Sequence, residues 1–242
     1  MLSPEAQKTI ESYINLPIGA GCVTPYFNNR RKKIRGGLRA LIGKGSPKEI
    51  VEEAEIVALR EKADLKNLDS VTLKKFLVDK NLGIDCSGFA FHVLNAESLA
   101  VNGKRLGAYL TSQKGFLRRF ISRFREAENI SVSHLVSEEN STVVNIQNAQ
   151  SGDIITLLNS EYNHVVIIES VEHNDANTTL HYIHSYAWPE DGVYGHGIHR
   201  GTLTLSNENI MRGTWIEDGH VVNFEKKRPV EKAELRRLKA FI

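Results

Sequence analysis

The chain changes its pattern once, near Asn140, and that change limits the fold more than any other feature. Before it, apolar residues recur at helical spacing. After it, short runs rich in Val, Ile, Thr and Tyr lie between turn residues. Helices gathered first and strands gathered later predict an α+β fold rather than alternating βα units. With 242 residues, 41% of them hydrophobic, the chain can build one substantial domain or two small ones.

The helical part has clear start signals. Residues 3–15 read as a helix opened by Ser3 with Pro4 at its first position. Pro17 to Pro25 reads as loop, followed by a dense basic segment, Arg30-Arg31-Lys32-Lys33 with Arg35 and Arg39 nearby. Ser46-Pro47-Lys48-Glu49 has capping-box spacing and opens a helix towards Ala63; another spans Ser70 to Lys80. In 104–125, Phe116, Leu117, Phe120, Ile121 and Phe124 recur at helical spacing among seven basic residues and no acidic one. That pattern describes an amphipathic helix whose basic face is solvated, or a patch for an anionic partner. A formal net charge of +2 demands no nucleic acid, so no specific nucleic-acid partner is expected.

Two cysteines, Cys22 and Cys86, make no disulfide framework and no zinc-ligand cluster. No run has transmembrane length. Met1 to Gln7 lacks the basic and apolar regions of a secretory signal, which leaves cytoplasmic action or export by another route.

Cys86 stands where a polar turn meets the apolar run Phe89-Ala90-Phe91-His92-Val93-Leu94, with Asp85 as the natural N-cap of a helix. In the first turn of a helix the positive end of the macrodipole favours a thiolate, the nucleophilic form. A thiol nucleophile needs a base, and the base needs an orienting group. Of nine histidines, His164 opens the Val165–Ile168 strand and His184 closes the Leu180–Ile183 strand. The turn-rich segment between them suits a hairpin folded near Asn174. A register whose paired numbers sum to about 348 sets the two imidazoles opposite one another, and a slip of one residue separates them. His196 and His199, or His181 with His184, invite a metal hypothesis, but no carboxylate or cysteine completes a set, so no metal is expected. His92 reads as a helix-face residue, and Trp188 as packing or a cleft wall.

Four ordered pieces carry a resemblance: Asp85-Cys86-Ser87-Gly88-Phe89, Ser151-Gly152-Asp153-Ile154-Ile155, His164-Val165-Val166-Ile167-Ile168, and Ile183-His184-Ser185. Together they resemble the NlpC-type cell-wall cysteine peptidases over roughly residues 83–186. The resemblance implies a papain-like fold with helices around a central antiparallel sheet. It also implies a single domain, 1–242, with helical insertions at 27–82 and 96–140. By carry-over, Cys86 would be the nucleophile and His164 the base and then the acid. His184 would orient His164, and the Cys86 N–H would serve the oxyanion. Asp85, Ser87 and Tyr26, the last in a Thr24-Pro25-Tyr26 segment, would bind substrate. The implied substrate is a peptidoglycan-type stem peptide cut after D-glutamate, with no cofactor. The 27–82 insertion would pack beside the cleft, where its basic start could attract an acidic stem peptide. Rival readings are a CHAP-type amidase, an acyltransferase or thioesterase using the same dyad, and an inactive binding module on the same scaffold.

Overall fold

The computed structural model describes residues 1–28, 38–111, 126–174, 176–206, 208–226 and 229–242. The basic segment Arg30–Lys33, with Arg35, and most of the 104–125 stretch lie outside these. Among the described residues, four helices of ten or more residues precede an eight-stranded antiparallel sheet, as the pattern change predicts.

Helix α1 (Pro4–Ile14) starts at Ser3, whose hydroxyl accepts from the Ala6 N–H, and buries Ala6, Ile10 and Tyr13. Helix α2 (Pro47–Glu61) carries the full capping box of Ser46 and Glu49. Helix α3 (Ser70–Asp79) is capped by Asp69. Helix α4 (Cys86–Asn102) is buried almost all round at its N-terminal half, from Cys86 through Phe91. A helix apolar on every side belongs in the middle of a core. Phe89, fully buried, meets Tyr13 of α1 edge-on at 5.4 Å between ring centres. Burying such a side chain is worth about 1.5–3 kcal/mol.

The strands are β1 (Ser141–Val143), β2 (Ile154–Leu158), β3 (Asn163–His173), β4 (Thr178–Tyr186), β5 (Gly197–Leu205), β6 (Thr214–Glu217), β7 (His220–Val222) and β8 (Lys232–Leu238). Their spatial order is β1-β8-β2-β3-β4-β5-β6-β7. Alternation along the strands gives each face its own cluster. Ile154, Val165, Ile167 and Ile183 pack with the helices. Ile155, Val166, Ile168 and Tyr182 pack with Trp188, Trp215 and Phe224 on the other side. The expected strand from Val221 to Phe224 is shorter, because Phe224 already begins a 3₁₀ turn.

The β3–β4 hairpin differs from the simple register in an instructive way. Near the turn, His173 faces Thr178 and Ser170 faces His181. Continued unchanged, that pairing would set His164 against Ala187 and send its side chain to the face away from His184. A bulge at Glu169 absorbs one residue, so that Ile168 faces Tyr182 and Ile167 faces Ile183. On this register His164 and His184 share a face as diagonal neighbours, not as a directly opposed pair. The bulge is held from outside the β3–β4 pair. The Glu169 carbonyl accepts from the Leu2 N–H at 3.2 Å. The Arg200 guanidinium grips the Glu169 carboxylate (3.0 and 3.2 Å) and that of Glu11 in α1 (2.9 Å).

Candidate active site

Asp85 does at the start of α4 what its sequence position predicts: its carboxylate accepts the Gly88 N–H at 2.7 Å. It also carries a contact that the sequence does not announce. Lys44, buried with only 8% exposed, places its ammonium 2.8 Å from the Asp85 carboxylate and 2.5 Å from the Ser87 hydroxyl. Ser87 in turn donates to Asp85 at 3.0 Å. Two of the three expected substrate-binding residues are thus engaged by a side chain from the 27–82 segment. The approach is close enough to require glycine in the motif, since a Cβ on Gly88 would lie 2.6 Å from the Gly43 carbonyl oxygen. His92 accordingly serves the helix face, its Nε2 lying 3.0 Å from the Lys44 carbonyl.

Tyr26 is drawn to the same place through the backbone. Ile84 donates to the Pro25 carbonyl at 3.0 Å and accepts from the Phe27 N–H at 3.2 Å. The Tyr26 hydroxyl hydrogen-bonds Tyr162, and both phenols are raised by burial and by the nearby Cys86. The long separation in sequence between Tyr26 and Cys86 therefore does not separate them in space.

Cys86 itself is buried at the start of α4, near enough to the backbone N–H groups of Val165 and Ser87 for both to favour its thiolate. Here the structure corrects one expectation. Burial pushes the Cys86 thiol from 9.0 to about 12, and the Asp85 charge adds to that; Lys44 and the two N–H groups pull it down without offsetting the rise. The resting group is a thiol, because the closed site removes the water a thiolate needs. Cys22, also buried, is pushed up to about 11.

The two imidazoles meet. His164 Nε2 lies 2.7 Å from His184 Nδ1, and both rings are 1% exposed. They are walled by aromatic rings: Tyr162 stacks on His164, and Tyr186 stacks on His184. His164 also lines a small, mainly apolar cavity with Leu157, Tyr162, Tyr186, Phe224 and Val230. Strand alternation turns His164 and Val166 to the face opposite α4, while Val165 faces the helix. The thiol thus lies on the helix side of β3, and the imidazoles lie on its other face.

One member of the site escapes sequence reading. Glu217, at the end of β6 and 4% exposed, lies 2.9 Å from His184 Nε2. Its carboxylate also accepts the Tyr182 hydroxyl at 2.8 Å and the Trp188 indole N–H at 2.6 Å. Trp188 is therefore a buried donor behind the imidazoles. The sequence signal for Glu217 is faint: an acidic residue in the β-prone run Thr214-Trp215-Ile216-Glu217, closed by an Asp-Gly turn. His199, paired across from His184, lies 3.4 Å from Asp191 and is lowered to about 4 by burial and then by His184. Among the described residues, no group of three His, Cys, Asp or Glu side chains is placed to hold a metal ion, and no helix is long and apolar enough to cross a membrane.

A pair of bonded imidazoles backed by a buried carboxylate forms a set able to hold and orient a proton. Comparison with family models, curated proteins and solved structures finds no match.

Proposed function

We propose that the chain is a cysteine peptidase or amidase of the NlpC type on a papain-like scaffold. It hydrolyses an amide bond in peptidoglycan-type stem peptides through an acyl-enzyme on Cys86. The observation that carries this reading is the meeting of the α4 start with the β3 start. The Val165 N–H, which pulls the Cys86 thiol down, is one residue from a His164 ring already bonded to His184 at 2.7 Å. His164 takes the thiol proton and later returns it to the leaving amine, and His184 orients it. The N–H of Cys86, at the helix start, donates to the oxyanion. Tyr26 borders the same place. The 27–82 segment acts as a specificity element beside the cleft, with Lys44 as its innermost reach.

Stem peptides of defined sequence, incubated with the protein and read by mass, test the proposal. Wild type should release fragments, Cys86→Ala none, and Cys22→Ala most of the wild-type amount. His164→Ala should cost more than His184→Ala. Equal cleavage by wild type and Cys86→Ala would remove the enzyme reading. A second reading is favoured by the closed thiol and by the Lys44–Asp85 pair: a binding module on the same scaffold that recognises such peptides without cutting them. It predicts retained peptide and no fragment.

A further inference from the structure

We infer that Glu217 is a positioning residue that fixes the tautomers of both imidazoles, making Nδ1 of His164 the basic nitrogen of the site. The role rests on the cysteine-hydrolase reading; the tautomers do not. An ionised carboxylate accepts hydrogen bonds and donates none. His184 Nε2, 2.9 Å from Glu217 Oε1, therefore carries that ring's proton. In a neutral imidazole the other nitrogen is then an acceptor. His184 Nδ1 lies 2.7 Å from His164 Nε2, so His164 is the donor there and its own proton sits on Nε2. Its lone pair is left on Nδ1. When the S–H bond of Cys86 breaks, the proton joins that lone pair. The products are a thiolate and an imidazolium whose Nε2–H still donates to His184. Glu217 takes no proton at any point.

The surroundings hold the carboxylate ionised. Burial pushes Glu217 up, but its neighbours His184 and Tyr182 more than offset this and leave it below the ordinary range. His199, lowered to about 4, stays neutral at pH 7 and adds no competing cation.

Trp188 turns the inference into a sharp test. Its indole N–H is a donor without acceptor capacity and meets Glu217 Oε2 at 2.6 Å. In Glu217→Gln the amide oxygen should face Trp188, which can only donate, so the NH₂ group faces His184 Nε2 and the Tyr182 hydroxyl, both of which can turn to accept. His184 must then move its proton to Nδ1 and donate to His164 Nε2, and His164 must carry its proton on Nδ1. An isosteric change thus inverts both rings and turns the base into a donor.

The measurement is long-range 1H–15N correlation on protein labelled with 15N-histidine, in wild type, Glu217→Gln and Glu217→Gln/Trp188→Phe. Both rings should be Nε2–H in wild type and Nδ1–H in the single variant. The double variant, freed to turn its amide oxygen towards His184, should return to Nε2–H. Turnover of defined stem peptides should fall about 10²- to 10⁴-fold in Glu217→Gln, the usual worth of a general base, and recover in part in the double variant. Nδ1–H rings in wild type overturn the inference with no variant needed, and so do unchanged rings in a folded Glu217→Gln. Rings that invert in a protein that cleaves no stem peptide uphold the tautomer assignment while removing the hydrolase reading.

Discussion

Lys44 and Asp85 face each other where water barely reaches, their side chains 10% and 11% exposed. Removing one partner of such a pair leaves a charge with nothing to answer it. Lys44→Met should therefore cost about 3–5 kcal/mol in urea unfolding. Lys44→Met/Asp85→Asn should recover much of that, because asparagine still caps α4. A loss under about 1 kcal/mol in the single variant would show that the ammonium is dispensable. Cys86 makes the second prediction at this scale. Its folded-state value of about 12 stands above the ordinary 9.0. The neutral thiol therefore adds stability that is whole below the unfolded value and fades as pH rises towards the folded one. Wild type should lose more stability than Cys86→Ala between pH 8 and about 10.5; parallel curves would contradict the burial argument. Asp85, Cys86, His164 and His184 were legible because each is defined by its immediate neighbours: a cap before an apolar run, a histidine at a strand end. Lys44 and Glu217 were not, because their partners are distant in the chain. Lys44 reaches Asp85 across 41 residues and Glu217 reaches Tyr182 across 35. Nothing local distinguishes either from an ordinary surface charge.

Among the elements, the β3 bulge decides most. It turns a register that would part the two histidines into one that joins them. Deleting Glu169 removes the surplus residue, so the turn-side register then sets Ile168 opposite Tyr182 without a bulge and His164 should stay beside His184. Histidine 15N shifts close to those of wild type are the expected result, and shifts that report parted rings would show that the register is set elsewhere. A bulge is invisible in the sequence because any residue can occupy it; the hairpin itself was legible because Asn174 and its neighbours mark the turn. β8 shows the opposite failure. Lys232-Ala233-Glu234-Leu235-Arg236-Arg237-Leu238 is composed largely of good helix formers. The structure makes it a strand between β1 and β2. Its Arg236, 2% exposed, is satisfied there by Ser141, Glu138 and Glu234. Tertiary pairing overrides propensity, and a buried arginine held by three partners is how this strand tolerates it.

At the scale of the whole molecule, the site is assembled from two cores. The helical cluster supplies the thiol and the opposite face of the sheet supplies the imidazoles. Each half was readable as a class, helices then strands, from the pattern change near Asn140. The closed arrangement has a chemical signature. Iodoacetamide at pH 7.5 should modify Cys86 and Cys22 much more slowly in the folded protein than in urea, since both thiols are buried and raised. A folded-state rate for Cys86 equal to its rate in urea would mean that the closed form is not the dominant one.

The contacts of Glu169 with Leu2 and, through Arg200, with Glu11 carry a further consequence. The first helix never pairs with the hairpin, yet it works as a latch on the hairpin's count, holding the one surplus residue where the tally of β3 needs it. A change at the front of the chain can thus unset two histidines far along it while leaving every residue around them untouched.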